Sequence, residues 1–149
     1  MNQKIETALS LLAASYEGFL ATLEGEKPFV SAVSYIYEVE PAAANRPGKI
    51  GLFLSGLARH TQNFQKNPNV SLLVVEDSSE PIYERKRVTL QGTIHNVQDE
   101  ERFKNFKAKY LQIFPSAEPF FTFPDFQFFE IRITDIHLIS GFGKITTFR

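Results

Sequence analysis

A change of hydrophobic period between Ile50 and Pro68 constrains the fold of this chain more than any other feature of its sequence. Apolar residues alternate from Ile50 to Leu54, a pattern that predicts a β-strand. Beyond Ser55-Gly56 the apolar spacing becomes helical, and it ends at Pro68 because proline cannot continue a helix. The segment therefore predicts a strand, a sharp turn and a helix of about three turns.

The first turn of this helix carries Arg59, His60 and Thr61. Backbone N–H groups at a helix start have no partner inside the helix, and the helix dipole favours negative charge there. An arginine at the same place makes phosphate the expected guest. Arg59 and His60 also fit ordinary solvated positions at a helix start, so the local sequence leaves both interpretations open.

The composition narrows the class of protein. A chain of 149 residues is expected to form a single domain. Its net charge of −1 argues against nucleic acid or an anionic membrane as partner, and the absence of cysteine excludes disulfides and thiolate chemistry. No apolar run reaches the roughly 20 residues that span a bilayer, and residues 1–20 lack the long apolar centre of a signal peptide. We therefore expect a cytoplasmic protein.

The remaining periodicities predict a mostly β chain. A helix comes first, followed by a hairpin whose second strand covers Pro28–Val39. After the central strand and helix we expect two strands, a helix that starts at Asp99, and two final strands at Gln127–Ile133 and Asp135–Ser140. Gly92 in mid-strand indicates a bulge or a close approach of backbone or ligand. Strands joined by short turns with few helices favour an antiparallel barrel over a βαβ sheet.

Two small polar residues, Ser31 and Ser34, interrupt an otherwise apolar strand. They are either tolerated serines of a barrel strand or the place where a flat ligand lies close to the backbone. The pattern by itself supports both interpretations equally.

Most catalytic motifs are absent from the sequence. It contains no G-x-S-x-G elbow, no phosphate-binding P-loop and no G-x-G-x-x-G after a strand. The histidines His60, His95 and His137 belong to three separate elements, which argues against a metal site. A reaction carried by a bound cofactor remains compatible with the sequence.

Six segments in order resemble a known family: PFVSAVSY, FLSGLARHTQNFQKNP, SLLVVED, RVTLQG, FPDFQFF and a terminal GFG. They resemble the FMN-binding split barrels related to pyridoxamine 5'-phosphate oxidase, and more closely the haem-utilisation (HugZ-like) branch of that group. The resemblance implies an antiparallel six-stranded split β-barrel with flanking helices. It also implies a homodimer with FMN in grooves between the two barrels.

The resemblance assigns roles to particular residues. Arg59 and His60 match the positions that hold the flavin phosphate, and Arg87 stands where the oxidases use a glutamine to touch the flavin. A cation at Arg87 would pair either with phosphate or with charge near the flavin ring. The implied cofactor-binding set is Ser31, Ala32, Val33 and Ser34 beside the ring, Leu54 and Ser55 at the neighbouring strand end, Arg59, His60 and Thr61 at the phosphate, and Arg87.

The substrate does not follow from the resemblance. The basic residues that the oxidases use for pyridoxal phosphate are not recognisable in SGFGKITTFR, and the histidine that ligates iron after G-F-G in the haem branch is replaced by Ile145-Thr146-Thr147. The leading hypothesis is an FMN-dependent oxidoreductase acting on an unknown small molecule. Haem binding or degradation is the alternative, with His60 or His137 as candidate ligands, and a barrel that binds neither cofactor is the third possibility.

Overall fold

The computed structural model describes residues 3–39 and 47–149. This part of the chain contains three α-helices, eight β-strands and two short 3-10 helices. The helices are α1 (Gln3–Ala14), α2 (Arg59–Lys66) and α3 (Glu100–Ile113), and the 3-10 helices are Ile82–Glu84 and Pro115–Thr122. The strands are β1 (Glu17–Glu24), β2 (Lys27–Ser34), β3 (Ile36–Glu38), β4 (Lys49–Ser55), β5 (Asn69–Val75), β6 (Arg87–Asn96), β7 (Phe126–Ile139) and β8 (Ile145–Phe148).

All the strands belong to one antiparallel sheet, in the order β2-β1-β5-β6-β7-β4-β3, with β8 also paired to β7. The prediction of a mostly β, antiparallel fold with flanking helices is confirmed, but six is the wrong number of strands. The predicted strand Pro28–Val39 is interrupted at Tyr35, so that β2 pairs with β1 and β3 with β4. The chain tail supplies β8.

The two final strands expected from the sequence form the single long strand β7. The pairing of β7 with β6 shifts by one residue between Gln91 and Gly92, so that Thr134 of β7 has no paired residue on β6. The Thr134 hydroxyl donates instead to the Gln91 carbonyl. A Cβ at Gly92 would collide with the Arg132 carbonyl oxygen, so only glycine fits. The bulge predicted at Gly92 is confirmed, and it lets β7 bend without ending.

The inner face of the sheet surrounds the main hydrophobic core. Helix α1 contributes fully buried Leu12, whose carbonyl accepts a hydrogen bond from the buried Tyr35 hydroxyl at 2.9 Å. Helix α2 contributes Phe64, which packs edge-on against Phe129. The eight residues of α2 make little more than two turns, shorter than expected.

A second core lies on part of the outer face, beneath α3. That helix begins at Asp99, as predicted, because the Asp99 carboxylate caps the N–H groups of Glu101 and Arg102. Phe106 of α3 stacks on Phe128 of β7 with ring centroids 4.0 Å apart. We call this region the covered half of the outer face; its clustered residues are Ile36, Phe53, Phe106, Tyr110, Ala117 and Phe128.

The opposite part of the outer face keeps apolar side chains in solvent, including Phe19 at 47% and Val30 at 61% exposure. One continuous row of paired residues crosses six strands here. Residues paired across antiparallel strands share a face, so their side chains form a single surface. We call it the open face; its central row is Ala32, Phe19, Leu73, Thr89, His137 and Thr147.

Candidate functional site

The turn between β4 and α2 is fixed by contacts with the loop before β7. Ser55 donates its hydroxyl proton to Asp125 Oδ2 at 2.6 Å, and its Oγ accepts the Leu57 N–H at 3.1 Å. The Gly56 N–H donates to the Asp125 carbonyl at 2.6 Å. Ser55, predicted to touch a cofactor, therefore uses its hydroxyl to shape the turn that presents α2.

Arg59, the first residue of α2, does not point freely into solvent. Its Nε and Nη2 donate to the two carboxylate oxygens of Glu24 at 2.6 and 2.8 Å. Its guanidinium carbon also lies 4.5 Å from the centre of the Phe29 ring. The hydrogen bond from Arg59 is the main cause that lowers the pKa of Glu24 below its ordinary value, so both partners are charged near neutral pH.

The next two residues of the turn carry polar atoms that have no hydrogen-bond partner among the described residues. They are Nε2 of half-buried His60 and Oγ1 of fully buried Thr61. Burial lowers the pKa of His60, so the ring is neutral at pH 7 and contributes no charge to anion binding there. No side chain of the described residues caps the helix at Ala58, and the first helical bond is donated by the Gln62 N–H.

The predicted flavin-facing strands divide between the two sides of the sheet. Val33 and Leu54 are buried in the main core, at 7% exposure each, although Val33 also lines a groove beside the open face. Ser31 shares the inward side of β2 with Val33, whereas Ala32 and Ser34 lie on the outward side. Ala32, Val33 and Ser34 line that groove together.

Arg87 lies far from the α2 corner. It opens β6 on the open face, paired with Val75 on one side and Ile139 on the other. Phe19 of β1 belongs to the row of paired residues next to that of Arg87. From Phe19 to Glu24, the partner of Arg59, the five residues of β1 span about 17 Å. Arg87 Nε is buried and finds no partner in residues 3–39 or 47–149. The structure therefore separates Arg87 from Arg59, His60 and Thr61.

His137 lies on the same face, one row from Arg87. Its Nδ1 is 2.8 Å from Thr147 Oγ1. With the proton on Nδ1, the ring donates to Thr147 and keeps a lone pair on Nε2. His95, by contrast, already has its Nε2 against Thr93 Oγ1 at 2.8 Å.

A groove of about 720 Å³ borders the open face, a size in the usual range for ligand pockets. It shares Phe19, Ala32 and Val75 with that face, and Tyr16 and Arg85 add an aromatic ring and a second cation. The charged residues that line the groove are Arg85 and three acids, Glu17, Glu76 and Asp77.

The comparisons with known proteins agree with this architecture. A family model described as CREG, beta-barrel matches residues 1–147. The chain belongs to the CREG β-barrel family. The resemblance to split barrels related to pyridoxamine 5'-phosphate oxidase, and to their haem-utilisation branch, is confirmed.

Three proteins similar to this CREG-family chain carry informative names. The heme oxygenase HutZ of Vibrio cholerae is 28% identical over 130 residues, which cover 84% of this chain and 69% of HutZ. A heme binding protein from Mycobacterium smegmatis superposes with a TM-score of 0.83 at 25% identity, over 99% of this chain and 58% of that protein. A putative pyridoxamine 5'-phosphate oxidase from Listeria innocua superposes with a TM-score of 0.72 at 15% identity, over 93% of this chain and all of its own.

Two residues of this CREG-family site had no signal in the sequence. Glu24 closes a hairpin strand and looks like any solvated turn residue, and its pairing with Arg59 depends on where α2 docks. Asp125 belongs to the F-P-D-F segment, but its bond to Ser55 spans 70 residues of sequence. In the described part of the chain, no helix is long and apolar enough to cross a membrane.

Proposed function

We propose that this chain is a haem-binding protein of haem utilisation, and that His137 and Arg87 on the open face hold the haem. The relatives named for haem support this reading over flavin chemistry. One observation on the chain itself carries it. His137 of β7 and Arg87 of the adjacent strand β6 are diagonal neighbours on the open face. Among the described residues, His137 Nε2 and the buried Arg87 Nε have no hydrogen-bond partner.

The residues present fit the chemical demands of haem. The diagonal between Arg87 and His137 corresponds to about 7–8 Å between Cα atoms, within the reach of a single macrocycle. Val75, Ile139 and Ile145 continue the Arg87 row and offer an apolar surface to the porphyrin. Arg87 would bind a propionate carboxylate, and His137 Nε2 would ligate iron.

Haem bound there would supply iron-centred redox chemistry. The chain itself would provide the orientation. Thr147 holds the His137 ring through Nδ1, the kind of outer contact that fixes a ligating imidazole. This route uses the histidine on β7, because the chain lacks one after its terminal G-F-G.

The test is a haemin titration followed by absorbance spectroscopy. The wild-type protein should develop a Soret band at a one-to-one ratio per chain, and His137→Ala should remove or shift that band. Arg87→Met should weaken haemin binding by about 10-fold while leaving the band in place, because it removes one charge-assisted contact of about 1.5 kcal/mol.

His95→Ala is the matched control, since its Nε2 is already bonded to Thr93. A wild-type titration without a Soret band would overturn the proposal. An unchanged spectrum in His137→Ala would remove that residue as the ligand, and the same loss in His60→Ala would assign the role to the helix histidine instead.

We also propose that two copies meet through the open face, as the resemblance implies, with the ligand between them. Phe19, Val30 and Ile145 leave 47%, 61% and 62% of their surfaces exposed on one side of the sheet. Light scattering should give a dimer for wild type and a monomer for Phe19→Glu. Leu57→Glu, at an exposed residue outside this face, should stay dimeric.

The second candidate function is FMN binding, with the flavin phosphate at the start of α2. It is favoured by the first turn of α2, which carries Arg59 and, two residues on, a buried Thr61 hydroxyl without a partner among the described residues. In this form the chain would be an FMN-binding oxidoreductase with an unknown substrate. Arg59→Ala should then weaken FMN by about 10-fold, as one charge-assisted phosphate contact predicts. An unchanged dissociation constant in a fluorescence titration would exclude this site.

A further inference from the structure

The Glu24 carboxylate contacts Arg59 in the two-pronged geometry that a bound anion would adopt. Two parallel hydrogen bonds, of 2.6 and 2.8 Å, join the carboxylate to the Nε and Nη2 edge of the guanidinium. The Phe29 ring supports the guanidinium from one side. The carboxylate comes from the end of β1 and the arginine from the start of α2, so the pair closes the corner between hairpin and helix.

A phosphate would use the same edge of the arginine. Carboxylate and phosphate oxygens both match the guanidinium in a two-pronged arrangement, and the edge formed by Nε and Nη2 accommodates one such partner at a time. With Glu24 in place the corner carries no net charge from this pair. A dianionic phosphate brought to the first turn would therefore meet a carboxylate as well as the arginine.

The same corner contains donors that Glu24 does not use. The N–H groups of Arg59, His60 and Thr61 precede the first helical hydrogen bond, and no side chain in the described ranges caps them. Independently, the Thr61 hydroxyl is fully buried at the third helical position and has no partner within the described ranges. A buried hydroxyl without a partner is costly unless something completes it.

We propose that Glu24 is an intramolecular competitor for the anion at the first turn of α2, and that a phosphate ligand must displace it from Arg59. The proposal rests on the flavin phosphate site of the second candidate function. Glu24 thereby sets both the affinity and the selectivity of this corner for anions. Weakly charged anions leave the ion pair of Glu24 and Arg59 intact, and a dianionic phosphate ester separates the two residues.

The test compares FMN binding to wild type, Glu24→Gln and Glu26→Gln by flavin fluorescence, with inorganic phosphate as competitor. Glu24→Gln should bind FMN about 5- to 20-fold more tightly, from the lost ion pair and the lost repulsion of the phosphate. Glu26→Gln changes the net charge equally at an exposed residue of the same hairpin, and it should alter affinity less than about 2-fold.

A double variant separates competition from general charge effects. Adding Arg59→Met to Glu24→Gln should remove the whole gain, because the gain depends on the freed guanidinium. A gain that persists without Arg59 would overturn the proposal.

The outcomes distinguish this inference from the flavin function. Equal FMN affinity in wild type and Glu24→Gln would overturn the competitor role while leaving the flavin site in place. Binding by Glu24→Gln alone would support the competitor role and argue against flavin as a ligand of the natural chain. Absence of binding by both would overturn both.

Discussion

The covered half and the open face belong to one side of one sheet, yet they differ in how their apolar rings are packed and their charges paired. In the covered half, α3 places Phe106 on Phe128 at 4.0 Å, and Arg102 pairs with buried Glu130. On the open face, Phe19 remains 47% exposed and Arg87 Nε has no partner in the described structure.

The difference separates stability from binding. A surface whose apolar rings are packed and whose charges are paired has nothing left to offer a ligand. Apolar side chains left in solvent beside an unpartnered cation lower stability, and they persist where a partner or ligand completes them. Mutations in the two regions should therefore change different measurements.

The largest expected contrast is between two phenylalanines. Phe128→Ala should lower the free energy of unfolding by about 3–5 kcal/mol, because Phe128 is only 2% exposed and its loss opens a cavity beside the stacked ring of Phe106. Phe19→Ala should cost less than about 1 kcal/mol in the monomer. Urea unfolding measures both. Similar losses at the two positions would show that the open face is packed in solution.

The next contrast concerns the charged residues. Arg102→Met should cost about 2–3 kcal/mol, below the usual cost of breaking a buried pair because the Arg102 side chain is 41% exposed. It leaves Glu130, only 4% exposed, without its cation. The matched change Arg87→Met should leave the unliganded protein as stable or slightly more stable, since the Nε it removes is buried without a partner among the described residues. A large loss from Arg87→Met would contradict the comparison.

The smallest expected effect is a pH dependence from Glu38, a half-buried acid of β3. Burial is the main cause that raises its pKa, and the charge of Glu130 raises it further, while Lys109, Arg102 and Lys49 act in the opposite direction. A folded-state pKa above the unfolded one means that the folded protein holds the proton more tightly. The resulting stability is present below the ordinary value of 4.5 and is lost as the pH rises through the raised pKa.

Urea midpoints measured across this range in wild type and Glu38→Gln check the prediction. The variant should show a flatter profile on the low-pH side. An identical slope in both proteins would mean that Glu38 titrates normally in the folded state.

Local features of the fold followed from local chemistry. The strand, turn and helix between Ile50 and Pro68 and the Asp99 cap depend on residues close in sequence, and the structure has both. Gly92 suggested the bulge, but the bulge also involves Arg132 and Thr134 of the neighbouring strand. The strand number did not follow, because the two parts of the predicted strand Pro28–Val39 pair with different strands, β1 and β4, and the chain tail adds β8. The cofactor-binding set came from resemblance, and the structure divides it among the core, the open face and the α2 corner.

By itself, the sequence determined the antiparallel β class, the family and the helix start that carries Arg59, because periodicity, caps and motifs act over a few residues. Only the tertiary structure decided that Glu24 fills the Arg59 fork and that Arg87 and His137 share one face. Those relations join residues 35 and about 50 positions apart, and they depend on strand register and helix docking, which no local pattern encodes.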